Sequence, residues 1–381
     1  MNLIQKIVDF LEEHESLHPG DSPWRNDIPE ESFGTHHVDW DKLFPSNFPK
    51  VGNAPWDYAD DPWKISVDDF EDILTPLSDN EQDGISEWDT CAWYQPIHFY
   101  GHDWGIYVKE SCVKQLARRL NHEMERSRSI VHPISYPSRY IKALLRASFA
   151  LYYRHELFHH KTECLGLRLH VAEQQPRYVN YFNKVYIPTT NTDSQLEESL
   201  ANAFMFREFD SARWIPKIVA KNMRSYLSRT FPANPPGYRL APLYLTNKTF
   251  EAGQQLFFSQ VQEATLLPIR RSEDWELAPR LSHSFFNINS EIWTVVPVGA
   301  RPLIPTKSTP LRTCSTDQLI KVCRQEGYSV VPGGKGSHLK LKKEHRSTII
   351  LPGNRNNLSP GVVKNTLAAL GKTLGDLKNL V

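Results

Sequence analysis

The chain has 381 residues, of which 40% are hydrophobic and 23% charged, so it has enough apolar side chains for a buried core and is not expected to be disordered. Its formal net charge at pH 7 is zero. No apolar run reaches the roughly 18 residues of a membrane-spanning helix, and the acidic start of the chain is unlike an export signal. Five cysteines without a Cys-x-x-Cys pair argue against a disulfide framework and for a reducing compartment. We therefore expect a cytoplasmic protein of more than one domain, without a membrane partner.

The first 104 residues form an acidic, tryptophan-rich region. Residues 1–104 carry 23 acidic and 5 basic side chains, whereas residues 105–311 carry 17 and 27, and residues 312–381 carry 4 and 12. Such segregation predicts that the acidic region covers a basic part of the chain, or that the basic parts bind a polyanion; an acidic surface that only faces solvent is the alternative. Seven of the ten tryptophans lie in this region, so we expect ordered but irregular loops.

Periodic patterns that begin near Trp104 indicate a body over residues 105–299. The segment WGIYV is typical of a strand, because it is rich in β-branched and aromatic residues. Apolar residues over 113–124 recur at helical spacing and predict an amphipathic helix. Two further helices are predicted over 139–163 and 194–210.

The later part of this body is predicted to be less helical. Residues 230–242 are proline-rich and predict a loop or an extended chain. Alternating residues over 284–298 predict a β-hairpin that turns at Asn289–Ser290. Three prolines in residues 300–311 predict a semi-rigid, extended linker to a separate domain at 312–381.

The strongest local signal is RHELFHH, which places His155, Glu156 and His159 in a His-Glu-x-x-His pattern on a predicted helix. Residues four apart project from one helix face, so the two imidazoles can share a metal ion. The neighbouring Glu156 can take a proton from a water molecule at that metal. The alternatives are ordinary polar residues on a helix surface, or a zinc site with a structural role only.

A catalytic zinc site needs a third protein ligand and an open fourth position. Glu163 lies on the same helix face, but it is two turns from His155, which makes a tetrahedral arrangement on one straight helix difficult. Glu198, with Glu197 beside it, begins a second helix that can face the first. We predict Glu198 as the third ligand. Glu163 is predicted to orient a ligand imidazole or a neighbouring base, and Glu163 and Glu197 are the alternative ligands.

Two further histidines and three tyrosines lie near the motif in the sequence. His160 and His170 are expected to be bystanders, although either could steady an oxyanion. Tyr178, Tyr181 and Tyr186 are expected to be core or groove aromatics, of which one could donate a hydrogen bond to a tetrahedral intermediate.

The pairing of HELFHH with the downstream segment ESLANAF resembles the ImmA/IrrE type of zinc metallopeptidase. The likeness covers residues 105–210 and is specific at the two helices. It implies a zincin-like fold, with zinc on the two histidines and Glu198, and with Glu156 as general base. The chain departs from that family between His159 and Glu198 and in its acidic front, so the likeness does not identify the protein substrate.

Residues 312–381 predict a helix, three strands and a second helix. Ser315 opens the first helix in a capping box. In the middle strand, SHLKLKK, the side chains of His338, Lys340 and Lys342 share one face. A row of basic side chains in a segment of this charge is typical of a surface that binds a phosphate backbone.

This C-terminal segment resembles the HicA family of toxin–antitoxin ribonucleases in QEGYSVV, GKGSH, TIILPGN and LSPGVVKNTLAALG. The resemblance implies an αβββα fold like that of double-stranded-RNA-binding domains. It also implies a catalytic His338, acting on a ribose 2′-OH without a metal, with Lys335 and Lys340 on phosphate and Lys342 beside them. Binding of RNA without cleavage, or binding of a partner protein, are the alternatives.

Together these patterns predict an α+β protein with a zinc-dependent metallopeptidase body and a C-terminal module that binds RNA or a regulator protein such as an antitoxin. The two resemblances imply a bacterial or phage stress or defence system. The alternative function is an mRNA interferase whose ribonuclease activity the N-terminal body regulates. A third hypothesis is an interaction protein whose acidic region covers its basic surfaces and keeps both sites silent.

Overall fold

The fold is known from a computed structural model that describes residues 3–18, 33–44, 63, 65–75, 88–126, 137–173, 175–210, 214–263, 290–307, 314–331, 338–353, 355, 358 and 360–372. The longer helices in these ranges are α1 (Leu3–Glu13), α2 (Val67–Leu74), α3 (Glu110–Arg126), α4 (Pro137–Glu173), α5 (Leu196–Glu208), α6 (Lys217–Thr230), α7 (Asn247–Glu263), α8 (Thr316–Gln325) and α9 (Pro360–Ala369). The strands are β1 (Phe33–His37), β2 (Ala92–Gln95), β3 (Gly105–Lys109), β4 (Ile292–Pro297), β5 (Ser329–Val331), β6 (His338–Lys342) and β7 (Ile349–Pro352).

Short helical turns connect these elements, at Trp40–Leu43, Trp88–Cys91, Ile97–Tyr100, Gly101–Asp103, Arg177–Tyr181, Phe182–Tyr186, Ile187–Thr189, Phe231–Ala233 and Tyr238–Tyr244. The protein is therefore a mixed α+β protein, as predicted. In the proline-rich residues 230–242, turns of the 3-10 type form at Phe231–Ala233 and from Tyr238 onward, and only residues 234–237 between them form the expected loop. Among the described helices, none combines the length and apolarity needed to cross a membrane.

A four-stranded sheet joins distant parts of the chain in the order β1-β4-β3-β2. Strand β4 pairs antiparallel with β1 and parallel with β3, so both of its edges are occupied. The predicted hairpin over 284–298 is therefore wrong at its second strand, since the partners of β4 come from 33–37 and 105–109. Residues 284–289 lie outside the described residues. Alternation along a strand shows which face is buried, but it does not identify the neighbouring strand.

The sheet has two different faces. On one face Trp93, Tyr107 and Trp293 stack side by side, with ring centroids 5.5 and 6.3 Å apart. On the other face Ile106 and Val108 are fully buried in the main core. Since β1 and β2 belong to the acidic region and β3 and β4 to the predicted body, one sheet contains both parts of the chain.

Helix α4 is the central element of the core. It is 37 residues long and continues ten residues past the predicted end at 163, because its apolar stripe also continues. At Gly166 a Cβ atom would lie 2.6 Å from Cβ of Tyr178, so a side chain there would displace the turn at Arg177–Tyr181. The other two helices predicted for the body also form, as α3 and α5.

Part of the predicted linker is packed on the body. Leu303 and Ile304 are buried, and their backbone N–H groups donate to Oε2 of the buried Glu110 at 2.8 and 3.0 Å. The N–H of Asp39 donates to the carbonyl of Pro305 at 2.9 Å. Residues 300–307 are thus irregular, with a bend at Leu303–Ile304, and bound along the body, whereas 308–311 lie outside the described residues.

The C-terminal module, residues 314–372, has its own core. Strands β5, β6 and β7 form an antiparallel sheet in that order, and Leu319, Leu341 and Val363 are fully buried together. The predicted order of helix, three strands and helix is confirmed. The capping box is also confirmed, since Oγ of Ser315 accepts from the N–H of Gln318 at 3.2 Å and the amide oxygen of Gln318 accepts from the N–H of Ser315 at 2.8 Å.

Two of the five cysteines form a disulfide bond. Cys91 precedes β2 and Cys112 lies in the first turn of α3, so the bond links the strand to the helix. The remaining cysteines, Cys164, Cys314 and Cys323, are buried and free. The sequence argued against a disulfide framework and did not predict this single bond, because a separation of 21 residues gave no signal that the two residues meet.

Candidate metal centre

Helices α4 and α5 pack together and bring the predicted metal ligands to one point. His155 and His159 lie one turn apart on α4, and Glu198 lies in the first turn of α5. All three side chains are buried, with at most 6% of each residue exposed. Their ligand atoms form a group that could hold a metal ion.

The spacing of the three donor atoms suits a small tetrahedral ion. Nε2 of His155 lies 3.1 Å from Oε2 of Glu198 and 3.3 Å from Nε2 of His159. Nε2 of His159 lies 3.4 Å from Oε2 of Glu198. Zinc bonds of about 2.0–2.1 Å at tetrahedral angles place neighbouring ligand atoms roughly 3.3 Å apart. The triad of His155, His159 and Glu198 therefore has a spacing that could hold a metal ion of this size.

Hydrogen bonds on the far side of each imidazole fix its orientation. Nδ1 of His155 lies 2.9 Å from Oδ1 of Asn202, and Nδ1 of His159 lies 2.9 Å from Oε1 of Glu197. Both partner oxygens are acceptors, so each Nδ1 carries a proton, and Nε2 is the nitrogen that can bind a metal ion once its own proton has left. This arrangement is typical of histidines that bind a metal.

Two tyrosines hold the carboxylates in place. Tyr186 donates to Oε1 of Glu198 at 2.6 Å, and Tyr181 donates to Oε2 of Glu197 at 2.7 Å. The other predicted tyrosine, Tyr178, packs against the ring of His98 instead. Tyr181 and Tyr186 therefore orient acidic side chains at the centre.

The three triad residues perturb each other's protonation. Burial opposes protonation of both imidazoles, but neighbouring carboxylates outweigh it. Glu198 and Glu156 raise the pKa of His155, and Glu198 and Glu197 raise that of His159 more strongly. Burial would raise the pKa of Glu198, yet the two imidazoles hold it well below its usual range. Glu198 is therefore ionised at neutral pH, which is the form that binds a cation.

The remaining acidic candidates occupy different positions. Glu156 is buried beside the triad on α4, and its charge favours protonation of His155. Glu163 is fully buried and accepts hydrogen bonds from the N–H groups of Ile97 and His98 at 2.9 Å and from the hydroxyl of Tyr94. It therefore binds the 94–98 segment and does not orient a triad imidazole.

The two bystander histidines are placed away from the triad. His160 lies 3.0 Å from the hydroxyl of Tyr94 and 3.6 Å from Sγ of Cys164. His170 packs edge-on against Phe10 of α1. Neither is part of the group that could hold a metal ion.

The predicted RNA-binding residues of the module are described only in part. Lys335 lies outside the described residues, and of His338 only the backbone is described, paired with Pro352. Nζ of Lys340 and Nζ of Lys342 lie 4.0 and 3.5 Å from Oε1 of Glu12 in α1. One carboxylate of the acidic region thus lies beside two lysines of the module, and Lys342 stays about half exposed at this contact.

Further contacts fix α1 on the module. Gln5 donates to the carbonyl of Thr348 at 3.3 Å, and Ser347 donates to Asp9 at 2.9 Å. Ile350, from the face of β7 opposite the module's own core, is buried in the main core of the body. One sheet face of the module is therefore packed against the body.

The sequence patterns did not single out Asn202, and they named Glu197 and Tyr186 without predicting their contacts with the triad. Asn202 lies four residues after Glu198, so helical spacing alone places it on the same face. The sequence indicates Glu197 only as an alternative ligand. Its contact with His159 depends on the packing of α5 against α4, which no local pattern predicts. Tyr186 comes from a π-helical turn that no periodic pattern marks.

The chain matches no protein-family model, no curated protein and no solved structure. The interpretation of the centre therefore depends on its own geometry and chemistry.

Proposed function

We propose that the chain is a zinc-dependent metallopeptidase whose ion is held by His155, His159 and Glu198. The observation that carries the proposal is the convergence of three donor atoms within 3.4 Å of one another, two of them on imidazoles with bonded Nδ1 atoms. Zinc suits two nitrogen ligands and one carboxylate, and three protein ligands leave a position for substrate. Zinc bound there supplies a Lewis acid that polarises a carbonyl group and lowers the pKa of a water molecule.

The residues of the chain supply the remaining chemistry. Glu156 follows His155 directly on α4, and we assign it the role of general base, which accepts the proton of the attacking water and returns it to the leaving amine. Asn202 and Glu197 keep both imidazoles in the tautomer that binds metal. The low pKa of Glu198 keeps this ligand ionised, and the hydrogen bond from Tyr186 holds its second oxygen.

Metal content and peptide hydrolysis test the proposal separately. The purified chain should contain about one zinc ion, measured by elemental mass spectrometry, and His155→Ala should lose it. The matched control His345→Ala removes an exposed histidine far from α4 and should keep the ion. Glu156→Gln should keep zinc and lose hydrolysis of a peptide library. Zinc-free protein, or full hydrolysis by Glu156→Gln, would contradict the proposal.

A second candidate function is RNA binding by the C-terminal module, with cleavage by His338. The observation that favours it is the carboxylate of Glu12 beside Lys340 and Lys342, because an anion already lies where a phosphate would bind. In this proposal α1 must leave the sheet before RNA can reach the two lysines. Loss of RNA cleavage in His338→Ala, with RNA affinity kept, would support a ribonuclease. Cleavage that persists in this variant would exclude the assigned role of His338.

The proposed partners are a protein substrate for the metal centre and RNA or an antitoxin-like regulator for the module, in a bacterial or phage stress or defence system. A cytoplasmic location remains part of the proposal. It is supported by the free cysteines Cys164, Cys314 and Cys323, and the disulfide between Cys91 and Cys112 argues against it. Cell fractionation tests it directly, since recovery outside the cytoplasmic fraction would exclude this location.

A further inference from the structure

A short segment from the proline-rich part of the chain packs on the metal centre. Residues 237–239 lie against the start of α5, and the ring of Tyr238 stacks on the imidazole of His155, with centroids 5.7 Å apart and planes inclined by 11°. Aromatic rings at this separation attract each other when they are stacked with an offset. Tyr238 is buried, so its ring covers one face of a proposed metal ligand.

The backbone of the same segment is bonded to the residue that orients His155. Nδ2 of Asn202 donates to the carbonyl of Tyr238 at 3.2 Å, and Oδ1 of Asn202 lies 2.9 Å from Nδ1 of His155. Asn202 is fully buried. A single buried amide therefore joins the backbone of residue 238 to the metal centre.

The carbonyl of Tyr238 determines which way this amide faces. A carbonyl only accepts hydrogen bonds, so it requires the NH2 group of Asn202 on its side and leaves Oδ1 for His155. With the amide reversed, the NH2 group would face Nδ1 of His155, and the neutral ring would carry its proton on Nε2. Since Nε2 is the atom that faces Glu198 and His159, the reversed amide would oppose metal binding.

Side chains of α5 and of the residues before it hold the segment in place. Oγ of Ser199 donates to the carbonyl of Gly237 at 2.5 Å. Oδ1 of Asp193 accepts from the N–H of Gly237 at 3.3 Å and from Nε of Arg239 at 2.9 Å. Ser199 is buried, whereas the pair of Asp193 and Arg239 is exposed. The segment is therefore anchored both in the interior and at the surface.

The path of the segment requires a glycine at position 237. Its φ is +87°, a value that residues with a side chain rarely adopt. An added Cβ would also lie 3.0 Å from Cβ of Gln195 and 3.2 Å from the carbonyl oxygen of Thr192. A side chain at Gly237 would therefore push the next residue, Tyr238, away from Asn202.

We propose that residues 237–239 position the metal centre. The carbonyl of Tyr238 sets the amide of Asn202, this amide sets the tautomer of His155, and the ring of Tyr238 keeps that imidazole in place. Tyr238 acts through His155, so it is a positioning residue and not a ligand. The inference rests on the zinc site of the proposed function, but it does not require that the centre hydrolyses peptides.

Gly237→Ala tests the proposal, with Gly299→Ala as the matched control. Both glycines have a positive φ, of +87° and +83°, but a Cβ at Gly299 would meet no atom within 4 Å apart from its chain neighbours. We expect Gly237→Ala to bind zinc about tenfold more weakly and Gly299→Ala to keep the affinity of the parent, measured by competition with a chromogenic chelator. Equal zinc affinities in the two variants would overturn the proposal.

Two substitutions of Tyr238 separate positioning from a general loss of stability. Tyr238→Leu removes the ring and should weaken zinc binding about threefold, less than a displaced backbone does. Tyr238→Phe restores a ring on His155 and should bind zinc more tightly than Tyr238→Leu. A lower unfolding temperature of zinc-free Tyr238→Leu, with the zinc affinity of the parent, would show that the ring only stabilises the fold and would overturn its positioning role.

Zinc binding by the parent chain separates this proposal from the proposed function. A parent that binds zinc, with the same affinity in Gly237→Ala and Tyr238→Leu, would overturn the positioning role alone. A parent that takes up no zinc would overturn the metal site and this proposal together. Zinc binding that falls in both variants, without any peptide hydrolysis by the parent, would support the positioning role and contradict the peptidase.

Discussion

Nδ1 of His159 lies 2.9 Å from Oε1 of Glu197, while Nε2 of the same ring lies 3.4 Å from Oε2 of Glu198. Two adjacent residues of α5 therefore contact opposite edges of one imidazole. One carboxylate fixes the tautomer and the other faces the proposed ion. This relationship makes the affinity for metal depend on Glu197 as well as on the ligands themselves.

Glu197→Gln should weaken zinc binding about 10–100-fold, which is the usual effect of losing the partner that orients a metal-binding histidine. The measurement is competition with a chromogenic chelator. Glu208→Gln is the matched control, because Glu208 lies on the same helix but pairs with Arg154, 3.5 Å away. An unchanged zinc affinity in Glu197→Gln would contradict the role assigned to this carboxylate.

Tyr186→Phe should lower the free energy of unfolding of the zinc-free protein by about 1–3 kcal/mol, because a buried carboxylate oxygen of Glu198 loses its donor. Urea unfolding followed by tryptophan fluorescence measures this difference. Tyr244→Phe removes a hydroxyl from a half-buried ring outside the centre and should change the stability little. An equal decrease in the free energy of unfolding of the two variants would show that the hydrogen bond to Glu198 does not stabilise the fold.

Glu163 should stabilise the fold in a pH-dependent way. Burial opposes its ionisation, but hydrogen bonds from His98 and Tyr94 outweigh burial and lower the pKa of Glu163. The contribution of ionised Glu163 to the free energy of unfolding is therefore complete above the unfolded-state pKa of about 4.3. It is lost as the pH falls from there through the lower pKa of the folded state.

The test of this prediction is Glu163→Gln. At pH 7 the variant should lose about 1–3 kcal/mol of unfolding free energy, because the buried donors of Tyr94, Ile97 and His98 lose a charged acceptor. The difference from the parent should shrink in urea titrations below about pH 4. A difference that stays constant between pH 7 and pH 3.5 would show that the carboxyl is already neutral in the folded protein.

Glu12→Lys should expose the basic sheet face of the module. Reversing this charge replaces attraction to Lys340 and Lys342 by repulsion, so the affinity of the full chain for single-stranded RNA should rise about tenfold in fluorescence anisotropy. Glu13→Lys changes the net charge equally from an exposed position of α1 and serves as control. If both variants gain the same affinity, the effect reflects total charge and α1 does not mask the face.

The disulfide predicts the number of free thiols. The non-reduced, denatured chain should react with three equivalents of a thiol reagent, and the reduced chain with five. Closing a loop of this length stabilises a fold by about 3 kcal/mol, so reduction should lower the unfolding free energy by that amount. Cys314→Ser should remove one thiol without affecting the pair. Five free thiols before reduction would contradict the bond.

The sequence by itself determined the local features of this protein. Spacing of four residues put His155 and His159 on one helix face, and the side-chain hydrogen bonds of a capping box fixed the start of α8 at Ser315. The alternating residues of β6 placed Leu341 in the core of the module and Lys340 on the opposite face. These features follow from backbone geometry within a few residues, which a single sequence records directly.

Only the tertiary structure decided which distant elements meet. Residues 33–37 pair with 292–297, Cys91 meets Cys112, and α1 covers Lys340, yet none of these contacts has a periodic signal. The sequence also left Glu163 as an alternative to Glu198 for the third ligand. The packing of α5 on α4 places Glu198 beside the two histidines, whereas Glu163 is bound to the 94–98 segment. Such pairings depend on how buried faces fit together in three dimensions. The free energy gained by burying apolar surface is similar for many partners, so the local sequence does not identify which segment will be the partner.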